Sequence, residues 1–297
     1  MAYLPLETEA ASADYAYFKV TVSGLLGGHS GDDIDKGHAN SNKWAVRIAE
    51  RAARLFGAKL SWFDGGNLRN AIPREAYIVL GVPSDKAAAF ESDVKAYGEA
   101  LCAEFAIVEK NAKVEVVKAE TPATVLSAQT QHNLLLALIG VPSGVLAMSS
   151  AMPGLVETST NLASVKFTEE NIVVTTSQRS SVESAKEYAK LQVASVFKAS
   201  GFEVVHSDGY PGWAPNPNST LLECTKSAYN KLFGTEPKVR AIHAGLECGL
   251  FLEKYPHLEM VSFGPTLRGV HSPDERLEIS TVDKFWKLLV EVVATIE

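Results

Sequence analysis

Cysteine is scarce in this chain: only Cys102, Cys224 and Cys248 occur in 297 residues. They lie far apart and form no C-x-x-C pair, which argues against a disulfide framework and a cysteine-rich zinc site and leaves them as buried thiols. Basic residues are not in excess either. The 28 Lys and Arg stand against 35 Asp and Glu, for a formal net charge of −7, so no basic face large enough for nucleic acid or an anionic membrane is expected. No apolar run approaches the roughly 18 residues of a membrane helix, and residues 1–20 lack the basic start and apolar stretch of a secretion signal. A cytoplasmic location is therefore expected. Internal repeats and low-complexity tracts are missing as well. What is present is a 46% apolar content, enough for real cores, in a length that allows about two domains at roughly 150 residues each. Small-molecule or peptide chemistry is the class that remains.

Residues 17–24 alternate apolar and polar and are β-branched, the pattern of a strand with one buried face. A glycine-rich loop follows, and then Trp44, Ile48, Ala52 and Leu55 recur at helical spacing between Ala39 and Phe56. Residues 76–82 return as a strand. Pro83-Ser84-Asp85 is placed to cap an alanine-rich helix running to about Ile107, with Ser84 or Asp85 accepting from free helix N–H groups. A strand at 113–118, a helix near 127–139, paired strands within 162–178 joined at Glu169-Glu170-Asn171, and a helix from Ser181 to Ser200 complete the segment. The order predicts helices layered on a largely antiparallel sheet.

Residues 206–218 pack three prolines and two glycines into thirteen positions, which marks a boundary. The tail beyond it reads helix 218–233, strand 238–243, helix 245–254, strand 258–263, loop, helix 281–296. Phe285, Leu288, Leu289, Val292 and Ile296 share one face of that last helix, which needs a sheet to cover.

Three strings hold the polar residues of interest. In Ser262-Phe-Gly-Pro-Thr-Leu-Arg-Gly-Val-His271-Ser-Pro-Asp-Glu-Arg276 an apolar strand enters a loop with one histidine, two acids and two arginines, and such strand ends are where sites collect. Taken alone, His271 reads equally as a surface residue, and Asp274 and Glu275 as a helix start. Gly24-Leu-Leu-Gly-Gly-His29-Ser-Gly31 sets a histidine among glycines that permit close backbone approach to a ligand. Arg69-Asn70-Ala-Ile-Pro-Arg-Glu75 places an amide and two guanidinium groups beside a strand.

In this order the three strings resemble the aminoacyl-histidine dipeptidases (Xaa-His dipeptidases, or carnosinases) of the M20 metallopeptidase family. Further matches are Gly154-Leu-Val-Glu-Thr-Ser-Thr-Asn161, Ser177-Gln-Arg-Ser-Ser181, Gly209-Tyr-Pro-Gly-Trp213 and Ala241-Ile-His-Ala-Gly-Leu-Glu-Cys-Gly249. Seven motifs in register, from about residue 15 to the end, make the resemblance specific. It implies an α/β chain in two parts. Residues 1–207 would be a two-layer α+β helix-on-sheet lid domain. Residues 208–297 would be an incomplete C-terminal segment of a zinc-peptidase α/β catalytic domain.

The resemblance also implies roles. His29 matches the lid histidine that polarises the scissile carbonyl, Asn70 and Arg179 match residues that hold the carboxylate end of a dipeptide, and Gly245 matches a backbone position that meets substrate. The bare residues leave Arg179 open as a solvated helix-start residue and Asn70 as a turn former. Only His271 matches one of the family's zinc ligands. The family's remaining metal ligands and its catalytic glutamate belong to an N-terminal half with no counterpart here, so the resemblance implies an isolated chain that is inactive. His206-Ser-Asp208 has the letters of a ligand motif but sits where the family returns from lid to catalytic domain, and is not read as a metal site. His243 and Glu247 have i, i+4 spacing, yet His243 is expected to end a strand, so it is read as a supporting or core residue.

Two readings of function follow. One is a zinc dipeptidase hydrolysing Xaa-His dipeptides, with the missing N-terminal half as partner. The other is a non-catalytic binding or dimerisation module, for which a homodimer stays open. A serine hydrolase built on Ser30 or Ser272 has no G-x-S-x-G elbow to support it.

Overall fold

In the computed structural model, residues 1–296 are described except for 151, 208, 210, 214, 215, 217, 241–246 and 269–274, and Glu247 is described by its backbone alone. The chain divides into two compact units, Met1–Gly209 and the described residues from 211 onward.

The first unit runs β1 (Ala2–Pro5), β2 (Thr8–Ala10), β3 (Tyr15–Ser23), β4 (Gly28–His29), α1 (Ser41–Phe56), β5 (Lys59–Gly65), β6 (Ala71–Ile72), β7 (Ala76–Pro83), α2 (Ala87–Glu104), β8 (Lys113–Ala119), β9 (Thr124–Leu126), α3 (Ala128–Gly140), β10 (Gly144–Met148), β11 (Val156–Phe167), β12 (Asn171–Ser180), α4 (Glu183–Ala199) and β13 (Glu203–Val204). Its main sheet has the order β13-β1-β12-β11-β5-β7-β3-β8, with β10 also on β11, and every pairing is antiparallel. Two short ladders, β2 with β9 and β4 with β6, stand beside it.

Alternation sets the faces. On β3, Phe18, Val20 and Val22 are buried while Lys19 is exposed, and on β7 Ile78, Leu80 and Val82 are buried while Tyr77 is only partly covered. The buried set shares one core with Trp44, Ile48 and Ala52 of α1, Phe90 and Leu101 of α2, Leu134 and Leu138 of α3, and Val193 and Phe197 of α4. On the other face Lys19 lies over the Tyr77 ring, 4.9 Å from its centroid. This is the two-layer α/β architecture expected, helices on one face of an antiparallel sheet.

Several local expectations are corrected. Ser84 and Asp85 do not cap α2: Ser84–Lys86 forms a 3₁₀ turn, the helix starts at Ala87 with no side-chain cap, and Ser84 Oγ donates to Asp14 O at 2.7 Å instead. The helix stops at Glu104 and Ile107 is 89% exposed. Leu55, on the same stripe as Trp44, Ile48 and Ala52 but in the last turn of α1, is exposed. The three cysteines are half-buried rather than buried.

The second unit contains α5 (Thr220–Phe233), α6 (Glu247–Lys254), the two-residue pair β14 (Leu267–Arg268) and β15 (Arg276–Leu277), and α7 (Val282–Thr295). Its core is Ala228, Leu288 and Val292, with Leu221, Tyr229, Phe233 and Phe263 packed around them. The strand expected at 258–263 is irregular, with no neighbouring strand among the described residues; the Glu259 carboxylate accepts from the Thr220 and Leu221 N–H groups at the start of α5. Residues 238–240 carry no strand, and the rest of the strand expected at 238–243 lies outside the described residues.

Candidate active site

The loop between β3 and α1 carries His29. Two glycines make its path: Gly24 (φ 74°), where a Cβ would collide with the Asn111 carbonyl oxygen, and Gly28 (φ 133°), where a Cβ would stand 2.5 Å from Asp33 Oδ2. The β4–β6 ladder pairs Gly28 with Ile72 and His29 with Ala71. Ser30 N–H donates to Asn70 O at 2.8 Å, extending the same contact. The His29 and Asn70 motifs, forty residues apart, therefore form one ladder.

Arg179 comes from β12, directly across from Ser159 of β11. Its Nε donates to the buried Ser30 Oγ at 3.3 Å, and its Nη2 lies 3.5 Å from His29 Nε2. The His29 backbone N–H donates to Asp33 Oδ2 at 2.7 Å, and Asp33 is paired with Lys36. His29 Nδ1 accepts from the Gly31 and Asp32 N–H groups, each at 3.3 Å. Those two contacts favour a proton on Nε2, whereas Arg179 Nη2, which can only donate, faces that same nitrogen at 3.5 Å and favours it as an acceptor. An imidazole and a guanidinium thus stand side by side.

Burial pulls the Arg179 guanidinium below its ordinary value, Asp32 pushes it back up, and Arg69 pulls it down again. It remains charged. The half-buried Arg179 guanidinium, with the His29 imidazole alongside and the charge of the exposed Arg69 acting on it, suits an oxygen ligand with negative charge, because guanidinium pairs with carboxylate through a fork of parallel bonds.

The structure brings His29, Asn70 and Arg179 together. Gly245 and His271 lie outside the described residues, as do His243 and Asp208. Sequence reasoning missed four residues that build this site. Ser30 receives Arg179. Asp33 holds the His29 backbone. Asn161 is buried in β11 and donates from Nδ2 to Ala71 O at 2.8 Å, tying β6 to the main sheet. Glu109 accepts from the Leu26 and Ala39 N–H groups, both at 2.8 Å. The histidine-glycine string pointed at Ser30, and nothing local pointed at Glu109, which is remote in sequence.

Among the described residues no group of three or more His, Cys, Asp or Glu side chains is placed to hold a metal ion. Among the same residues no helix is long and apolar enough to cross a membrane.

A mixed α/β chain with this loop, ladder and strand end belongs to a definite group. The model of peptidase family M20/M25/M40 matches residues 32–295, and the chain belongs to that family. It is 39% identical over 293 residues to the cytosol non-specific dipeptidase of Escherichia coli (strain K12), covering 99% of this chain and 60% of that protein. The crystal structure of aminoacylhistidine dipeptidase from Vibrio alginolyticus superposes with a TM-score of 0.90 at 35% identity, over 100% of this chain and 60% of that one. The chain thus spans three fifths of the length of each relative. Neither likeness bears on the expectation that the chain by itself is inactive.

Proposed function

We propose that this chain serves the hydrolysis of dipeptides, Xaa-His dipeptides in particular, with residues 1–207 acting as the substrate-closing lid and residues 208–297 belonging to the catalytic domain. The observation that carries the reading is the pairing of the Arg179 guanidinium with the His29 imidazole, Nη2 to Nε2 3.5 Å, beside the Asn70 ladder. Arg179 and Asn70 bind the substrate's carboxylate end. His29 Nε2–H donates to the scissile carbonyl as negative charge develops on its oxygen. Gly245 lets the backbone meet the substrate, and His271 is a zinc ligand. The family relation and the two named dipeptidases support the dipeptide as substrate and a cytosolic setting.

The test is steady-state hydrolysis of Ala-His and Ala-Ala in the presence of zinc by the protein carrying this chain. His29→Ala should lower kcat by roughly 100-fold or more, since a donor aimed at a developing oxyanion contributes about 2.7–4 kcal/mol. Arg179→Ala should raise KM and leave kcat less changed, because the carboxylate is bound in ground and transition states alike. An unchanged kcat in His29→Ala removes the role given to that residue. Equal kcat/KM for the two dipeptides removes the Xaa-His preference.

A further inference from the structure

We propose that Glu109 is the positioning residue of the His29 loop, a clasp that closes the loop at its neck; the proposal rests on the reading of His29 given above. The loop between the end of β3 and the start of α1 is long, and its own ladder, β4 with β6, is two residues per strand. Long loops of this kind are costly to order. Glu109 sits in the turn after α2, 3% exposed, with its backbone N–H bonded to Phe105 O at 2.9 Å. Its Oε2 accepts from Leu26 N–H on the outgoing arm, and its Oε1 accepts from Ala39 N–H on the returning arm, both at 2.8 Å. One carboxylate therefore holds two points thirteen residues apart in sequence, on either side of His29.

The chemistry fits a clasp. Hydrogen bonds to an ionised acceptor are about twice as strong as neutral ones, and no ion pair engages Glu109 among the described residues, so both oxygens are spent on the loop. The same neck is crossed by His38 Nδ1 bonded to Gly27 O and by Arg74 Nε donating to Leu25 O at 3.3 Å. Neither bond reaches a backbone group within α1, although Ala39 stands just before its N-cap, Asn40. Its bonds go to the arms of the loop alone.

Glu109→Gln tests this, because it keeps the size of the side chain and turns one acceptor into a donor facing an N–H. Amide hydrogen exchange of the whole chain should speed up by about tenfold or more across residues 26–39, the His29 ring signals should shift, and α1 should exchange as before. Glu104→Gln, which removes the exposed ion pair between Glu104 of α2 and Arg47 of α1, should do neither. Glu109→Asp keeps both acceptors and should retain more loop protection than Gln, and it carries the test if the Gln variant does not fold. In the hydrolysis assay Glu109→Gln should lower kcat more than it raises KM, and should add little in a His29→Ala background. Wild-type protection of the loop in Glu109→Gln, or acceleration spread evenly over the first unit, overturns the clasp. So does full kcat in Glu109→Gln when the wild type is active. If the exchange and ring signals move as expected and the protein carrying this chain hydrolyses no dipeptide in the presence of zinc, the clasp stands and the peptidase reading falls.

Discussion

Asp33 couples the shape of the His29 loop to pH. Burial pushes its carboxyl up, but the Lys36 ammonium, the His29 N–H and the charges of Lys36 and His38 outweigh that and hold it below its ordinary 3.8. The folded state therefore takes up this proton less readily than the unfolded chain. The stabilisation is present above about pH 4 and is lost as pH falls through the lowered folded value. Amides of residues 28–36 should keep their protection from pH 7 to 5 and lose it toward pH 3, ahead of the amides of β3 and β7. Exchange corrected for intrinsic rates measures this, and Asp33→Asn should flatten the profile. A wild-type loop that loosens between pH 5 and 7 would assign the control to another group. His29 was legible because glycines surround it. Asp33 was not, since it sits in the run Asp32-Asp33-Ile-Asp35-Lys36, which reads as a solvated charged stretch.

At the scale of elements, α1 shows how a helix start is wired to the sheet. Asn40 accepts from the Asn42 and Lys43 N–H groups at 3.0 and 3.2 Å, and its amide donates to Leu162 O of β11 at 2.9 Å. Across the helical layer, Lys43 donates to Leu138 O at 2.7 Å, to Ile139 O at 3.2 Å and to Val141 O, closing the C-terminal end of α3. Burial pulls Lys43 down to about 8, so near pH 7 it is still mostly charged and still donating to that helix end. Asn40→Ala should cost about 1–3 kcal/mol in denaturant unfolding, the lost cap adding to the loss of the shorter of the two amide bonds to Leu162 O, which keeps the 3.4 Å bond from Asn42. Asn40→Ser keeps a capping acceptor and removes the amide donor without setting a carboxylate against the Leu162 and Asn161 oxygens, so it should cost less; an equal loss would mean the cap is not the main contribution. The helix periodicity of α1, α3 and α4 and the alternation of β3 and β7 were legible because long patterns average over local exceptions. β5 was not, since a register shift between Leu60 and Trp62 breaks its period of two. β10 carries two such irregularities in five residues. β4, β6 and β13 are two residues long and too short to show any period.

On the scale of the whole chain the two units differ in what holds them. The first has a continuous core drawn from four helices and the face of a nine-stranded sheet. The second, taken alone, buries Ala228, Leu288 and Val292 and leaves Trp286 60%, Val293 64% and Phe251 54% exposed. Its expected strand at 258–263 found no partner among the described residues, which is why apolar pattern alone misplaced it: a strand is defined by its neighbour, and sequence periodicity does not supply one. Local opening free energy follows buried apolar contact and protected backbone bonding. The first unit should therefore exchange its β3, β7 and β11 amides slowly, by global unfolding, and the second should exchange α5 and α7 amides far faster. Under limiting protease, the first cuts should fall near residues 206–218, where prolines and glycines concentrate. The segment beyond should then be degraded while a fragment of about 200 residues persists. Mass spectrometry of the digest decides the matter. A persistent C-terminal fragment, with the first cuts inside residues 1–205, would show that the small cluster of α5 and α7 holds more firmly than its exposed Trp286, Val293 and Phe251 imply.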